Sequence, residues 1–192
     1  MVADVGTPIV PSGSIAGLRK QYSVAAFIVE KVAQRSKQGV FMPRIELSVN
    51  IDAPIGQVYK IAKNVEAFPQ FMSDLQSLKL LERNSDGTVT KTEWVGLIRE
   101  FKMTVKWIQE DIWQDDICRD EFRMLSGDMD SMSGFWQFYA EGDNLTRFDS
   151  VVEYEYNVPL IGAMVKSLIK KKMTDNLQST LNSIKSKSES SD

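Results

Sequence analysis

NVPLIGAMVKSLIKKKMTDNLQSTLNSI, residues 157–184, closes a strand at Pro159 and then continues as a helix long enough for about seven turns. No other stretch combines this length with so regular an apolar spacing. Ile161, Val165, Ile169, Met173, Leu177 and Leu181 recur every fourth residue, with Met164 and Leu168 beside the first three. At 100° per residue a strict four-residue step winds the stripe by roughly 40° each time. The first half (Ile161, Met164, Val165, Leu168) is therefore expected to face an interior hollow. The second half (Met173, Leu177, Leu181, Ile184) is expected to seal the end of a sheet or meet another helix. A straight core helix on a twisted sheet satisfies the same spacing. Lys172 falls on the apolar side of the first half, either at a cavity mouth or with its stem snorkelling to water.

The rest of the chain supplies strands for that helix to cover. Arg44–Ile51 alternates cleanly, with Ile45, Leu47, Val49 and Ile51 on one side and Glu46, Ser48 and Asn50 on the other. Asp52-Ala53-Pro54 then opens a short helix buried through Val58, Tyr59, Ile61 and Ala62, with Pro54 near its first position where a missing N–H costs nothing. VEAFPQFM (65–72), interrupted by Pro69, forms a second short helical turn. Strands are expected over 75–83, 88–95, 100–110, 117–125, 134–140 and 146–157, with reversals at the Asn84-Ser85-Asp86-Gly87 turn, at Gly96 and Ile98, and at Trp113–Asp116. Connections this short make an antiparallel meander. One face carries Phe101, Met103, Val105 and Trp107; then Cys118, Asp120, Phe122 and Met124; then Phe148, Ser150, Val152, Tyr154 and Tyr156.

Residues 1–14 hold two prolines and two glycines and read as a lead-in. Ser14 is placed to cap a helix to about Arg35, whose apolar face (Ile15, Leu18, Tyr22, Ala25, Val29, Val32, Ala33) suits packing on the domain, lidding a cavity, self-association or a peripheral membrane contact. The expected organisation is an N-terminal extension over 1–41, a ligand-binding domain over 42–187 and a polar tail over 188–192.

Composition removes several classes of function. The 192 residues carry a net charge of −3, which argues against a nucleic-acid partner; Lys170-Lys171-Lys172 reads as a solvated helix face. There is no histidine, so Ser-His and Cys-His nucleophile pairs and the usual catalytic zinc ligands are absent. Cys118 is the only cysteine, which points to a reducing compartment, and no apolar run reaches the ~20 residues of a membrane span. A cytoplasmic protein without a cofactor is expected. Asp128-Met129-Asp130 reads as a surface turn rather than a metal site, and no phosphate-cradling glycine loop occurs.

The segment RIELSVNIDAPIGQVYKIAKNVEAFPQFM (44–72) resembles the opening of the SRPBCC (START-like) superfamily, and within it the polyketide cyclase/dehydrase and coenzyme Q-binding protein group. The matching features are Ala53-Pro54 after the first strand and the Asn64–Met72 phrase; VPLIGAMVKSLIKKKMTDNLQSTLNSIK (158–185) resembles that family's strand-to-helix junction. The resemblance implies an α+β helix-grip fold, with a curved seven-stranded antiparallel sheet wrapped on the C-terminal helix. It also implies a cavity for a lipid, quinone or polyketide-like molecule, with the chain as carrier or as cyclase/dehydratase. The expected lining is Met103, Val105, Trp107, Phe122, Met124, Phe135, Val152, Met164 and Leu168, joined by the polar Asp120, Gln137, Tyr139 and Tyr154; the same side chains could instead meet in a filled core. Asp120, if it faces inward, is desolvated and suited to acid–base chemistry with Tyr154; otherwise it pairs with a cation or lies at the sheet rim.

Overall fold

The computed structural model describes residues 43–98, 102–155 and 163–190, all within one compact unit, Met42–Asp192; over 163–166 only the backbone is described. The expected helix over 14–35 lies outside the described residues, as do Phe101, Tyr156 and the start of the long C-terminal segment.

The chain runs β1 (Arg44–Ile51), α1 (Ile55–Lys63), a 3-10 helix (Val65–Gln70), β2 (Leu75–Arg83), β3 (Val89–Ile98), β4 (Met103–Gln114), a 3-10 turn (Asp115–Ile117), β5 (Arg119–Gly127), β6 (Ser131–Gly142), β7 (Leu145–Glu155) and α2 (Ala163–Glu189). All seven strands form one antiparallel sheet in the order β1-β7-β6-β5-β4-β3-β2. This is the helix-grip arrangement. Period-two alternation is visible in burial: Ile45, Ile51, Trp113, Phe122, Trp136, Phe138, Phe148, Val152 and Tyr154 are buried on the inner face. Charged residues form ladders on the outer one, such as Arg44–Glu153 and Arg123–Glu110.

Two reversals fall later than the residue types suggest. β3 continues through Gly96, which pairs with both Leu75 and Val105, and β4 continues through Trp113. Trp113 stays in the strand because its indole is in the core and donates to Thr90 Oγ1 at 3.4 Å. The chain turns only at Asp115, whose carboxylate accepts from Tyr59 Oη (2.8 Å) and Lys63 Nζ (2.5 Å) on α1. The Asn84–Gly87 turn forms as expected: Gly87 adopts φ +72°, and Asp86 Oδ1 accepts from the Thr88 N–H.

One end of the sheet is solid. Phe138 and Phe148 stack at 4.5 Å and 17°, and Ile51, Val58, Leu181 and Ile184 close over them without measurable exposure. The last turns of α2 are fastened there. The Gln57 side chain donates to the Ser188 carbonyl (2.6 Å), the Asp52 N–H donates to Glu189 Oε1 (2.9 Å), and Lys185 Nζ donates to the Asn50 carbonyl (2.7 Å). The helix thus runs to Glu189, past the boundary expected at 187, and Ser188 is buried instead of opening a polar tail.

Candidate functional site: a cavity beneath the long helix

At the other end the helix does not fill the sheet. A cavity of about 880 Å³ lies between the inner faces of β3–β7 and the 168–180 stretch of α2. This is the size range of small-molecule sites. The reason lies in two adjacent ridges of the helix, each stepping by four residues. One carries Ile169, Met173, Leu177 and Leu181; the other carries Leu168, Lys172, Asn176 and Thr180. Both ridges line the cavity as far as Leu177 and Thr180, after which Leu181 enters the core. The second ridge places polar side chains where a core helix would place leucines. Thr174 and Thr180 also donate back to the carbonyls of Lys170 (2.9 Å) and Asn176 (3.1 Å), contacts that favour a bent helix.

The sheet side of the cavity is mainly aromatic and thioether. Trp94 and Gly96 come from β3, Val105, Trp107 and Gln109 from β4, Phe122 from β5, Met132 and Trp136 from β6, and Val152 and Tyr154 from β7. Met72 and Leu75 border it from the turn into β2. Met103 and Leu168 are both well exposed and also belong to the lining. Lys172 lines the cavity with its side chain largely covered, 3.8 Å from Asp175.

Of the side chains singled out from sequence, Met103, Val105, Trp107, Phe122, Val152, Tyr154 and Leu168 are brought together around this space. Met124 shares the inner face and packs against the core without lining the cavity, and the side chain of Met164 is outside the described residues. Phe135, Gln137 and Tyr139 are corrected: they point to the outer face. β6 has aromatics in both phases, and the alternation alone does not choose between Phe135/Tyr139 and Trp136/Phe138. The choice is made by Gly134, which shares the inner phase with Trp136. A Cβ there would lie 2.7 Å from the Phe122 ring and 2.0 Å from the Val151 carbonyl. On the outer face the Arg119 guanidinium covers Phe135 at 3.9 Å and Arg147 covers Tyr139 at 4.4 Å, while Gln137 donates to the Ile117 carbonyl at 2.8 Å. Met173 and Leu177, expected to seal the sheet end, border the cavity instead.

Behind the cavity sits a group of buried polar residues that composition did not single out. Asp111 is 1% exposed and accepts from Gln109 Nε2 (2.5 Å), Thr92 Oγ1 (3.3 Å) and Thr90 Oγ1 (3.5 Å). Burial pushes its carboxyl up to about 6, and these hydrogen bonds hold it from rising further. Asp120, also 1% exposed, faces inward on β5 but does not line the cavity. Burial first, and then the neighbouring Asp111 charge, hold it well above the usual carboxylate range. Its Oδ1 has no hydrogen-bond partner, nor do Trp136 Nε1 and the Tyr154 hydroxyl. Burial also raises Tyr154. No group of three or more Cys, Asp or Glu among the described residues is placed to hold a metal ion, and no described helix is long and apolar enough to cross a membrane.

A curved sheet gripping one long helix over an apolar hollow defines the class: a START-like, hydrophobic-ligand-binding fold. Residues 51–180 match the family model described as polyketide cyclase / dehydrase and lipid transport, and the chain belongs to that family. Among solved structures it is similar to TTHA0849 of Thermus thermophilus, with 30% identity and a TM-score of 0.70 over 75% of this chain and 95% of that one. The Zhui aromatase/cyclase of a Streptomyces species is 14% identical with a TM-score of 0.71, covering 78% and 94% of the two chains. A START superfamily protein of Mycobacterium smegmatis is 18% identical with a TM-score of 0.65, covering 76% and 97%. At those identities the last two share the fold alone. Comparison with curated proteins finds no match.

Proposed function

We propose that this protein binds a hydrophobic small molecule, of the lipid, quinone or polyketide-like kind, in the cavity beneath α2 and acts as its carrier or chaperone. The observation that carries this reading is the 880 Å³ space walled mostly by apolar side chains, with Met103, Val105, Trp107, Phe122, Val152, Tyr154 and Leu168 as contacts. Methionines at three sides (Met103, Met132, Met173) suit a guest of imprecise shape. Native mass spectrometry and solvent extraction of the purified protein test it, followed by a binding panel of lipids and quinones. A retained or bound apolar molecule, lost at least tenfold in Met173→Trp with melting unchanged within a few degrees, is the expected result. A protein that retains nothing and binds no member of the panel has no such function.

A cyclase or dehydratase using the same cavity is the second reading. Its support is an inward-facing acid, Asp120, whose carboxyl burial holds well above the usual carboxylate range, together with Tyr154 in the cavity lining. Its weakness is that Asp120 stands behind the lining. Turnover of a polyketide-like substrate that survives both Asp120→Asn and Tyr154→Phe removes these residues from any mechanism.

A further inference from the structure

The indoles of Trp94 and Trp107 both line the cavity and stack on each other at 5.4 Å with 13° between their planes. Most other ring contacts in the core are edge-on, including the one Trp94 makes with Phe68 at 5.9 Å and 64°. The two tryptophans are direct partners across β3 and β4, and so are the pairs behind them on the same face, Thr92 with Gln109 and Thr90 with Asp111. This register lets each indole N–H reach an acceptor two residues away along its own strand. Trp94 Nε1 donates to Thr92 Oγ1 at 2.7 Å, and Trp107 Nε1 donates to Gln109 Oε1 at 3.1 Å. Both acceptors pass the connection to one carboxylate: Thr92 Oγ1 donates to Asp111 Oδ2 at 3.3 Å and Gln109 Nε2 donates to Asp111 Oδ1 at 2.5 Å. The result is a closed loop of side chains, joined by these hydrogen bonds on one side and by the ring stack on the other. Its only ionisable group is Asp111.

A ring that borders open space lacks neighbours on one side to fix its torsion, so something else must hold it. Here each N–H is tied, and a buried hydroxyl or amide with an acceptor available keeps it. Gly96, next along β3 on the same face, has no side chain to intrude; the Trp107 ring edge lies 3.4 Å from where its Cβ would stand. Trp107, the less buried of the pair, thus gives the cavity a flat aromatic wall whose angle is set from behind.

We propose that Asp111 is a positioning residue for ligand shape: through Thr92 and Gln109 it fixes the Trp94–Trp107 pair as a flat wall, and this wall favours a guest that presents a planar conjugated ring system over one that presents a flexible acyl chain. The inference rests on the ligand-binding reading and adds to it a preference and the residue that sets it. A planar guest gains face-to-face contact only if the indole plane is already oriented, whereas a chain adapts to either orientation.

The test is equilibrium dialysis of full-length protein with pyrene and with dodecanoic acid, in the wild type and in Thr92→Val and Asp111→Asn. Thr92→Val keeps the shape and breaks one arm; Asp111→Asn removes the charge both arms share. Far-ultraviolet circular dichroism reports the exciton couplet of the stacked indoles. Pyrene is expected to bind the wild type more tightly than dodecanoic acid. Each variant should weaken pyrene about tenfold, shift dodecanoic acid less than twofold and diminish the couplet. Equal effects on the two probes, or a pyrene preference unchanged in either variant that folds, overturn the role of Asp111. Wild-type protein that binds dodecanoic acid and not pyrene overturns the shape preference while keeping the carrier. Binding of neither probe removes the cavity reading as well.

Discussion

The two ends of the sheet solve the same packing problem in opposite ways. Each carries a parallel pair of aromatic rings from neighbouring strands: Phe138 on Phe148 at one end, Trp94 on Trp107 at the other. Above the phenylalanines the helix sets Leu181 and Ile184, and no space remains. Above the tryptophans it sets Lys172, Asn176 and Thr180 beside Met173 and Leu177, and a cavity remains. The difference teaches that the hollow is written into one ridge of the helix and not into the sheet. The closed end supplies the stability that allows the other end to stay open.

The comparison is most sharply broken by truncation. Phe148→Ala at the closed end should cost about 3–5 kcal/mol in urea denaturation, and Leu177→Ala at the hollow end, beside space already open, should cost well under half as much. Similar costs at both ends mean that the cavity is not open in solution.

Next in size is a pH effect. Asp111 and Asp120 are both raised, so the native state keeps protons that the unfolded chain releases above about pH 4. Stability from these groups is therefore fullest in acid and falls as pH rises above about 4, through about 6 for Asp111, by at most about 1.4 kcal/mol per pH unit for each proton. Asp120→Asn should gain on the wild type as pH rises from about 4 toward neutrality in melting experiments. A constant difference across that range means that Asp120 is not the proton holder.

A smaller effect is expected at Thr146, whose buried hydroxyl donates to the Ala53 carbonyl at 2.8 Å and ties the β1–α1 corner to β7. Thr146→Val should cost about 1–2 kcal/mol by leaving that carbonyl unpaired. Smallest is Arg44→Ala on the outer face. Its pairs with Glu46 and Glu153 are solvent-exposed, and the change in unfolding free energy should stay within about 0.5 kcal/mol. A larger loss there would show that the outer ladders share in holding the sheet.

The antiparallel meander after the short helices, the gripping helix and the inner phase of β4, β5 and β7 were legible in the sequence, because each has a single apolar period and because the 44–72 and 158–185 segments resemble a family. β6 was not legible, since aromatic residues occupy both of its phases; Gly134, opposite Phe122 and Val152, held the answer but gave no sign of its partners. The Asp111 loop was also hidden. Gln109 and Asp111 continue the inner phase of Trp107, but they are polar, and only the pairing of β3 with β4 shows that Thr90 and Thr92 lie opposite them and that all four are buried. Met173 and Leu177 depart from the expectation for a related reason. A four-residue apolar repeat identifies one ridge, whereas the emptiness depends on the ridge beside it.

The sheet order has a consequence for how the molecule is made. β1 is an edge strand whose only neighbour among the described strands is β7, and Arg44 meets Glu153 across 109 residues of chain. The earliest strand of the sheet to leave a ribosome must then wait for its partner until β7, 109 residues on from Arg44 at Glu153, has emerged. Long-separated pairings of this kind slow folding. The last turn of the helix that Asp52 and Gln57 grip comes from still further along the chain. Chaperone demand during synthesis should accordingly centre on the half-made curl of β2–β6 and the lone first strand.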